Sequence, residues 1–409
     1  MRVLWLSGNQ SSFSDKKSGY NGGGWIGSLE SALVECNDIS LGVAFFSDSK
    51  EFKVKIKKTT YYPIRLYYSY CSKLRRQLNY EWADSIELRY LDKIVNDFKP
   101  DIIHVWGTEL SFGLIKEITN IPVVIHFQGM LSAVYNSFFI PGLSQNSYLN
   151  QSGFNVISRI QKTRNLRYLR NRINRENRML KSCNNFMGRT TWDKQLINLY
   201  APNASYYHCD EMLRPAFYEG SLWAFKNTEK CIIVTTSSDA TYKGIDTILK
   251  CANVIKNNSD ICYEWHVYGV NNPRIFEKFT KIDSQKVNVK FKGIVDSDCL
   301  KKKLVGADLY VNTSYIDNSP NSLCEAQIIG LPIISTNVGG ISSIVKHEFS
   351  GVLVPANDPL ILASEIIKLI KNPDKAMYYS QNGQKDASIR HDPKRIVPAL
   401  KLIYENIIV

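Results

Sequence analysis

The chain has 409 residues, 44% of them hydrophobic and 22% charged, with a net charge of +13. That length exceeds one comfortable core and calls for two domains of roughly 200 residues each. No apolar run approaches the roughly 18 residues that cross a bilayer, and the nine cysteines, odd in number and without a C-x-x-C pair, exclude a disulfide frame and point to reduced thiols in a cytosol.

The charge is unevenly placed. Residues 1–220 hold 28 Lys and Arg against 19 Asp and Glu, a net +9, and the remainder holds 23 against 19, a net +4. A basic first half suits a polyanionic partner: nucleic acid, an anionic membrane surface or a phosphorylated substrate.

In chain order, the opening MRVLWLSGNQ has only a short apolar core and reads as a first buried strand, not as a signal peptide. SGYNGGGWIGSLESAL then places Gly22, Gly23 and Gly24 directly before a helix, a loop whose missing Cβ atoms let backbone approach a diphosphate or a sugar. Its spacing is not the G-x-G-x-x-G of dinucleotide enzymes. Further apolar runs follow at ISLGVAFF (39–46), DIIHVW (101–106) and PVVIHF (122–127), separated by segments of helix length. The rhythm restarts with CIIVTT (231–236), WHVYG (265–269), VKFKG (289–293), ADLYVNTS (307–314), LPIIST (331–336) and GVLVP (351–355). Short apolar runs alternating with helices indicate parallel sheets covered on both faces, so the chain is α/β with two doubly wound Rossmann-like domains. The junction falls in PAFYEGSLWAFKNTEK, 215–230, which has no periodicity. Ligands are expected at the carboxyl ends of the strands.

Two basic segments stand out in the first half. KVKIKKTTYYPIRLYYSYCSKLRR (53–76) interleaves cations with five tyrosines, and Arg159 to Lys181 carries nine basic residues and one acid. On a helical projection Leu166, Leu169, Ile173 and Leu180 form one stripe, with Arg164, Arg167, Arg175, Arg178 and Lys181 across from it. Such a surface suits anionic lipid headgroups or an acceptor bearing phosphate. Nucleic acid is disfavoured, although cations and aromatics also make a single-strand platform. His104, inside a strand, reads as core packing. Asp296-Ser297-Asp298 has the D-x-D form of a metal site, but it opens the segment CLKKKLVGADLY, so helix capping explains it and no metal is expected.

The segment IDNSPNSLCEAQIIGLP (316–332) concentrates the chemistry. Ser319 is a suitable N-cap and Pro320 suits the first helical position, which predicts a helix from about Pro320 to Ile329 stopped by Gly330. Asp317 and Asn318 then lie in the loop at the carboxyl end of a strand, and Glu325 lies along the helix. The helix start, including Ser319, Asn321 and Ser322, offers N–H groups and partial positive charge to a phosphate or sugar oxygen. Two carboxylates so placed can each accept from a different pair of hydroxyls on one ligand.

This segment resembles the E-x7-E element of the retaining glycosyltransferases of family 4, the bacterial surface-polysaccharide type, whose fold is GT-B: two Rossmann-like domains facing a central crevice. By that resemblance Glu325 binds the ribose of a nucleotide-sugar donor and Asp317, where the family has Glu, lies by the donor sugar. TTSSDATYKGIDTIL resembles the family's R-x4-K-G element, whose cations hold the departing diphosphate; Lys243 matches, and Ser238 stands where the arginine is expected. The loop with Gly23 and Gly24 is similar to the family's first glycine loop, Gly293 to a nucleotide-side turn, and His126 holds the place of a histidine that contacts the donor sugar. GRTTWDK (188–194) and CDEMLRP (209–215) resemble the family more weakly.

The resemblance implies an enzyme, a glycosyltransferase of hexosyltransferase type that is retaining and independent of metal and cofactor. It would move a sugar from a nucleotide-diphosphate donor, a UDP-sugar by expectation, to a hydroxyl of a glycan or lipid-linked acceptor. Residues 1–215 form the acceptor side, joined by a returning helix over 394–409, and residues 216–393 bind the donor. Asp317, His126 and Lys243 are the expected catalytic residues, and the protein is expected in the cytoplasm, peripheral at the inner face of the plasma membrane. Two other readings remain open: a GT-B nucleotide-sugar epimerase or hydrolase, and a non-catalytic nucleotide-sugar or polyanion-binding protein.

Overall fold

A computed structural model of the chain describes all residues except 14–23, 37, 67–69 and 151–155, and the side chains at 70, 71, 73 and 77. Fourteen strands form two sheets. The first contains β1 (Arg2–Leu6), β2 (Ser40–Phe46), β3 (Val54–Ile56), β4 (Thr59–Ile64), β5 (Ile102–Trp106), β6 (Val123–His126), β7 (Asn185–Gly188) and β8 (Ser205–His208), in the order β3-β4-β2-β1-β5-β6-β7-β8. The second contains β9 (Cys231–Thr236), β10 (Tyr263–Tyr268), β11 (Val289–Gly293), β12 (Leu309–Asn312), β13 (Ile333–Thr336) and β14 (Val352–Val354), in the order β11-β10-β9-β12-β13-β14. Every pairing between these strands is parallel except β3 with β4.

Strand periodicity of two explains the layers. Along β1, Leu4 and Leu6 enter one core while Val3 and Trp5 enter another on the opposite face. The second sheet is covered in the same way, with Ile233 and Trp265 on one side and Val234 and Tyr310 on the other. Two doubly wound α/β domains are therefore present, as the apolar runs indicated. Among the described residues no helix is long and apolar enough to cross a membrane.

The last helix, Pro393–Ile408, packs on the first sheet after the chain has completed the second domain. Its Tyr404 is fully buried; the hydroxyl accepts from Trp5 Nε1 at 3.1 Å and lies 2.5 Å from His104 Nδ1. His104 is stacked 3.9 Å from Trp106 and burial pushes its pKa down to about 3, so the ring is a neutral core group. A polar contact in this packed layer fixes the orientation of the helix on the sheet.

One basic segment is not a surface ribbon. Residues 53–66 include β3 and β4, and Tyr61 and Tyr62 are 1% and 0% exposed. Tyr61 donates to Glu30, and Tyr62 donates to Asp97 at 2.5 Å. The period-two pattern of this segment is hidden because β3 and β4 form a tight hairpin with lysines at its turn. Tyr67, Tyr68 and the Tyr70 side chain lie outside the described residues.

Leu400 is fully buried between the last helix and the first sheet. Leu400→Ala should cost about 2–5 kcal/mol of stability through lost transfer energy and a residual cavity. Urea unfolding followed by tryptophan fluorescence measures this, and a cost below about 1 kcal/mol would show that the helix is not part of the first domain's core.

Candidate active site

The carboxyl ends of β9, β12 and β13 carry the residues singled out in the second domain. After β12 the chain runs through Thr313 to Ser319 and enters the helix Asn321–Ile328. Pro320, extended at φ −66° and ψ 118°, is the N-cap, so Ser319 does not cap this helix. The ring of Pro320 sets φ and removes the N–H, and its carbonyl accepts from Leu323 N at 3.0 Å and Cys324 N at 3.1 Å. Ser319 Oγ instead lies 3.8 Å from Cys324 Sγ. Asn321 and Ser322 occupy the first turn, half-buried. The helix stops where expected, with Gly330 in the left-handed region at φ +88°.

Asp317 and Lys243 meet directly. Lys243 Nζ donates to Asp317 Oδ2 at 2.6 Å, and Ser314 Oγ donates to the same oxygen at 3.0 Å. Lys243 ends a short turn after β9, followed by Gly244 at φ +69° and the helix Ile245–Asn258. A Cβ at Gly244 would stand 1.9 Å from the Thr313 carbonyl, so only glycine lets the two loops come together. Ser238 Oγ accepts from Ala240 N at 3.4 Å, within its own turn. Gly293 ends β11, with nothing within 4 Å of where a Cβ would stand.

Glu325 is 2% exposed and held by a cation from the linker between domains. Arg214 Nε donates to Oε1 and Nη2 to Oε2, both at 2.6 Å. Burial pushes the Glu325 carboxyl above its ordinary range, and the Arg214 fork works against that rise. Gly24, at the start of the helix Gly24–Val34, faces the same arginine: a Cβ there would be 2.7 Å from Arg214 Cγ. Gly23 lies outside the described residues.

Asn318 is turned away from an open ligand site. Its Oδ1 accepts from Thr190 Oγ1 at 2.8 Å and its Nδ2 donates to the Gln128 carbonyl at 3.3 Å, both in the first domain. Thr191 reaches Ser343 of the second domain through its N–H at 3.0 Å. The crevice is thus bridged close to the donor loop.

His126 is 1% exposed, stacked against Trp106 at 4.8 Å and His104 at 5.4 Å. Neither ring nitrogen makes a hydrogen bond, and Nε2 stands 4.0 Å from Glu211 Oε1. Burial, with the Arg189 guanidinium adding to it, holds its pKa well below the usual histidine range, so it is neutral. Beside it, buried Arg189 pairs with Glu211 and donates from Nη1 to Gln128 Oε1 at 3.2 Å, while Gln128 Nε2 donates to Glu211 at 2.7 Å.

The basic helix, Val156–Ser182, divides its arginines between two roles. Arg175 is 4% exposed and does not lie on a solvated face: Nη1 donates to Asp84 at 2.9 Å and Nη2 to the Glu109 carbonyl at 3.0 Å. Arg172 donates to that carbonyl as well, at 3.0 and 2.9 Å. Arg178 pairs with Glu117. Arg164 is half-buried, and Arg167 and Lys181 are exposed. The loop after β5 is clamped by this helix, whose one acid, Glu176, is buried and accepts from Thr108 Oγ1 and from Leu131 N at 3.0 Å. Projection on an ideal wheel could not show this, because the partners come from elsewhere in the chain, Asp84 on the helix Tyr80–Phe98 and Glu109 in the loop after β5.

Arg189, Glu211 and Arg214 were given no role by the sequence. Their signal was isolated charge within GRTTWDK and CDEMLRP, beside apolar residues that become core. The D-x-D is explained locally: Asp296 caps the helix Ser297–Val305, accepting from Cys299 N at 2.8 Å.

Residues 224–386 match the family model described as Glycosyl transferases group 1. Over its whole length the chain superposes on sucrose-phosphate synthase from Thermosynechococcus elongatus, with a TM-score of 0.74 at 14% identity, covering 99% of this chain and 98% of that one. The fold is GT-B. Anabaena HepE, solved with UDP and glucose, is similar at a TM-score of 0.63 and 15% identity, covering 98% and 99% of the two chains. In sequence, the amylovoran biosynthesis glycosyltransferase AmsK of Erwinia amylovora is 26% identical over 134 residues, which are 31% of this chain and 33% of that protein. The chain therefore spans about a third of that curated relative's length.

Burial pushes the Glu176 carboxyl up to about 7 from an ordinary 4.5. Its proton favours the folded state, so stability is greatest below pH 4.5 and falls as pH rises toward 7, by roughly 3 kcal/mol. Glu176→Gln, which mimics the protonated group, should flatten that slope. Denaturant melts of both proteins at several pH values between 5 and 8 check this, and equal slopes would refute the assignment.

Proposed function

We propose that this protein is a retaining glycosyltransferase that moves a sugar from a nucleotide-diphosphate donor, a UDP-sugar, to a hydroxyl of a glycan or lipid-linked acceptor in bacterial surface-polysaccharide biosynthesis, without a metal. The observation that carries it is the pairing of Lys243 with Asp317 between the loops after β9 and β12, with Glu325 in the helix that follows the second loop and held by Arg214 beside Gly24 of the first domain. The family match over the second domain supports a sugar-transfer role. HepE, with UDP and glucose, supports a uridine donor, and AmsK supports a polysaccharide product.

On this reading the ribose diol engages Glu325, whose carboxyl oxygens are held in place by the Arg214 fork. The diphosphate lies between Lys243 and the start of the helix Asn321–Ile328, where a full charge and backbone N–H groups meet the charge that develops on the leaving oxygen. Asp317, shorter than the glutamate of the family, holds Lys243 in place and lies toward the sugar. His126 is neutral, and its two ring nitrogens, without a hydrogen-bond partner, are buried beside Trp106 and His104. No carboxylate of the described site stands apart as an obvious nucleophile, which favours front-side substitution: the acceptor oxygen bonds to the anomeric carbon on the face the diphosphate leaves. The departing phosphate takes the acceptor proton. The bridged crevice excludes water, and the D-x-D carboxylate Asp296 is engaged as a helix cap.

The first turns of the basic helix favour a membrane-borne acceptor. Val156, Ile157 and Ile160 are 66%, 80% and 53% exposed, beside the exposed Arg159 and Arg167. Apolar side chains flanked by cations suit an anionic lipid surface. The protein should float with vesicles containing anionic phosphatidylglycerol and much less with neutral ones, and Ile157→Glu should reduce flotation. Binding indifferent to lipid charge would sink the membrane reading.

A thermal-shift screen of UDP-, GDP- and ADP-sugars identifies the donor, because a bound ligand raises stability by mass action. With that donor, nucleotide release should depend on acceptor. Lys243→Ala should lower kcat about 100- to 1,000-fold, the usual loss for one preorganised donor, and Glu325→Ala should weaken donor binding. Acceptor-independent conversion would mark an epimerase or hydrolase, and tight binding without turnover a binding protein.

A further inference from the structure

The donor site as folded lacks a cation on one side. Ser238 stands where a guanidinium would face the diphosphate, and its hydroxyl is used within its own turn. Yet a guanidinium reaches the other carboxylate of the site, Glu325, from the segment that joins the domains. Arg214 precedes Pro215, which holds it extended at φ −62° and ψ 143°. The backbone around it is pinned: Phe217 N donates to the Arg214 carbonyl at 3.0 Å, Leu213 N to Tyr218 Oη at 2.7 Å, and Tyr218 Oη to the His391 carbonyl at 2.9 Å. The side chain then passes along Gly24 and ends on Glu325.

Both carboxylates of the site are therefore neutralised by a cation that a diphosphate would attract, Asp317 by Lys243 and Glu325 by Arg214. A donor presents ribose hydroxyls to Glu325 and about two negative charges to the neighbouring space. The hydroxyls can take over carboxylate oxygens, and the phosphates can take the released guanidinium, whose fork matches phosphate geometry. The stem of Arg214 already runs against the glycine at the start of the Gly24–Val34 helix, so the head needs only to turn about its outer bonds.

We propose that Arg214 is a diphosphate-binding residue of the donor site, supplied by the interdomain linker in place of the cation absent at position 238, and parked on Glu325 until the donor arrives. This rests on the donor-site reading above. It makes the linker a participant in binding: donor occupancy transfers one guanidinium from a carboxylate of the second domain to a ligand held between the domains. It also makes recognition depend on phosphate, since a nucleoside alone competes with Arg214 for Glu325 and gives nothing back.

The test is calorimetric titration of the wild-type protein, Arg214→Gln and Arg214→Lys with UDP and with uridine, and with the ADP and GDP pairs. Arg214→Gln should lose about ten- to a hundredfold in UDP affinity, the usual worth of a charged hydrogen-bonded contact, while uridine binds equally or more tightly. Arg214→Lys, which keeps a charge to neutralise buried Glu325 but loses the fork, should show a smaller loss confined to UDP. It also preserves the test if Arg214→Gln does not fold. Unchanged UDP affinity in both variants, or an equal loss for UDP and uridine, overturns the proposal and leaves Arg214 a support for Glu325. A wild-type protein that binds none of the nucleoside diphosphates overturns the donor-site reading itself, and the proposal with it.

Discussion

A charge taken out of water must find a partner where it is buried, and that requirement governs how the two domains of this protein meet. Glu325 is neutralised by Arg214 of the linker, Asn318 satisfies both of its polar ends on the first domain, and Thr191 reaches Ser343 of the second. Removing one member of such a pair leaves an uncompensated charge and costs far more than the pair contributes. The contacts therefore specify a register between the domains more than they add stability. They lie in the loops at the carboxyl ends of the strands, where a parallel α/β sheet opens into a crevice.

The same requirement reorganises the basic helix. Its charge reads as a surface for an anionic partner, yet Arg172 and Arg175 turn inward to the Glu109 carbonyl and Asp84, and Glu176 holds the start of the Leu131–Asn136 helix. Three guanidinium N–H donors to one carbonyl hold the loop after β5 in place. The first part of the helix leaves apolar and basic side chains both exposed.

Much of the fold was legible in the residues themselves. Ten of the strands coincide with apolar runs bounded by turn residues, since a strand buried on both faces has to be apolar throughout. The four others, β3, β4, β7 and β8, were not called. β3 and β4 carry lysines and paired tyrosines whose burial depends on Glu30 and Asp97, and β7 and β8 are four residues each, β8 at the sheet edge, without an apolar run. In the site, local spacing around Pro320 and Lys243-Gly244 was enough to bring out Asp317, Glu325 and Lys243. It misplaced the cap, because proline with an extended backbone can itself stand before the first turn.

By itself the sequence determined what short-range rules govern: alternating strands and helices, two domains, a helix stopped by Gly330, and an aspartate that caps the Ser297–Val305 helix. Tertiary structure alone decided which charges face each other. Arg214 meets Glu325 across 111 positions, Thr190 meets Asn318 across 128, and Tyr404 meets His104 across 300. Hydrophobic period is written along the chain, whereas the pairing of buried charges depends on where a closed fold brings distant segments together.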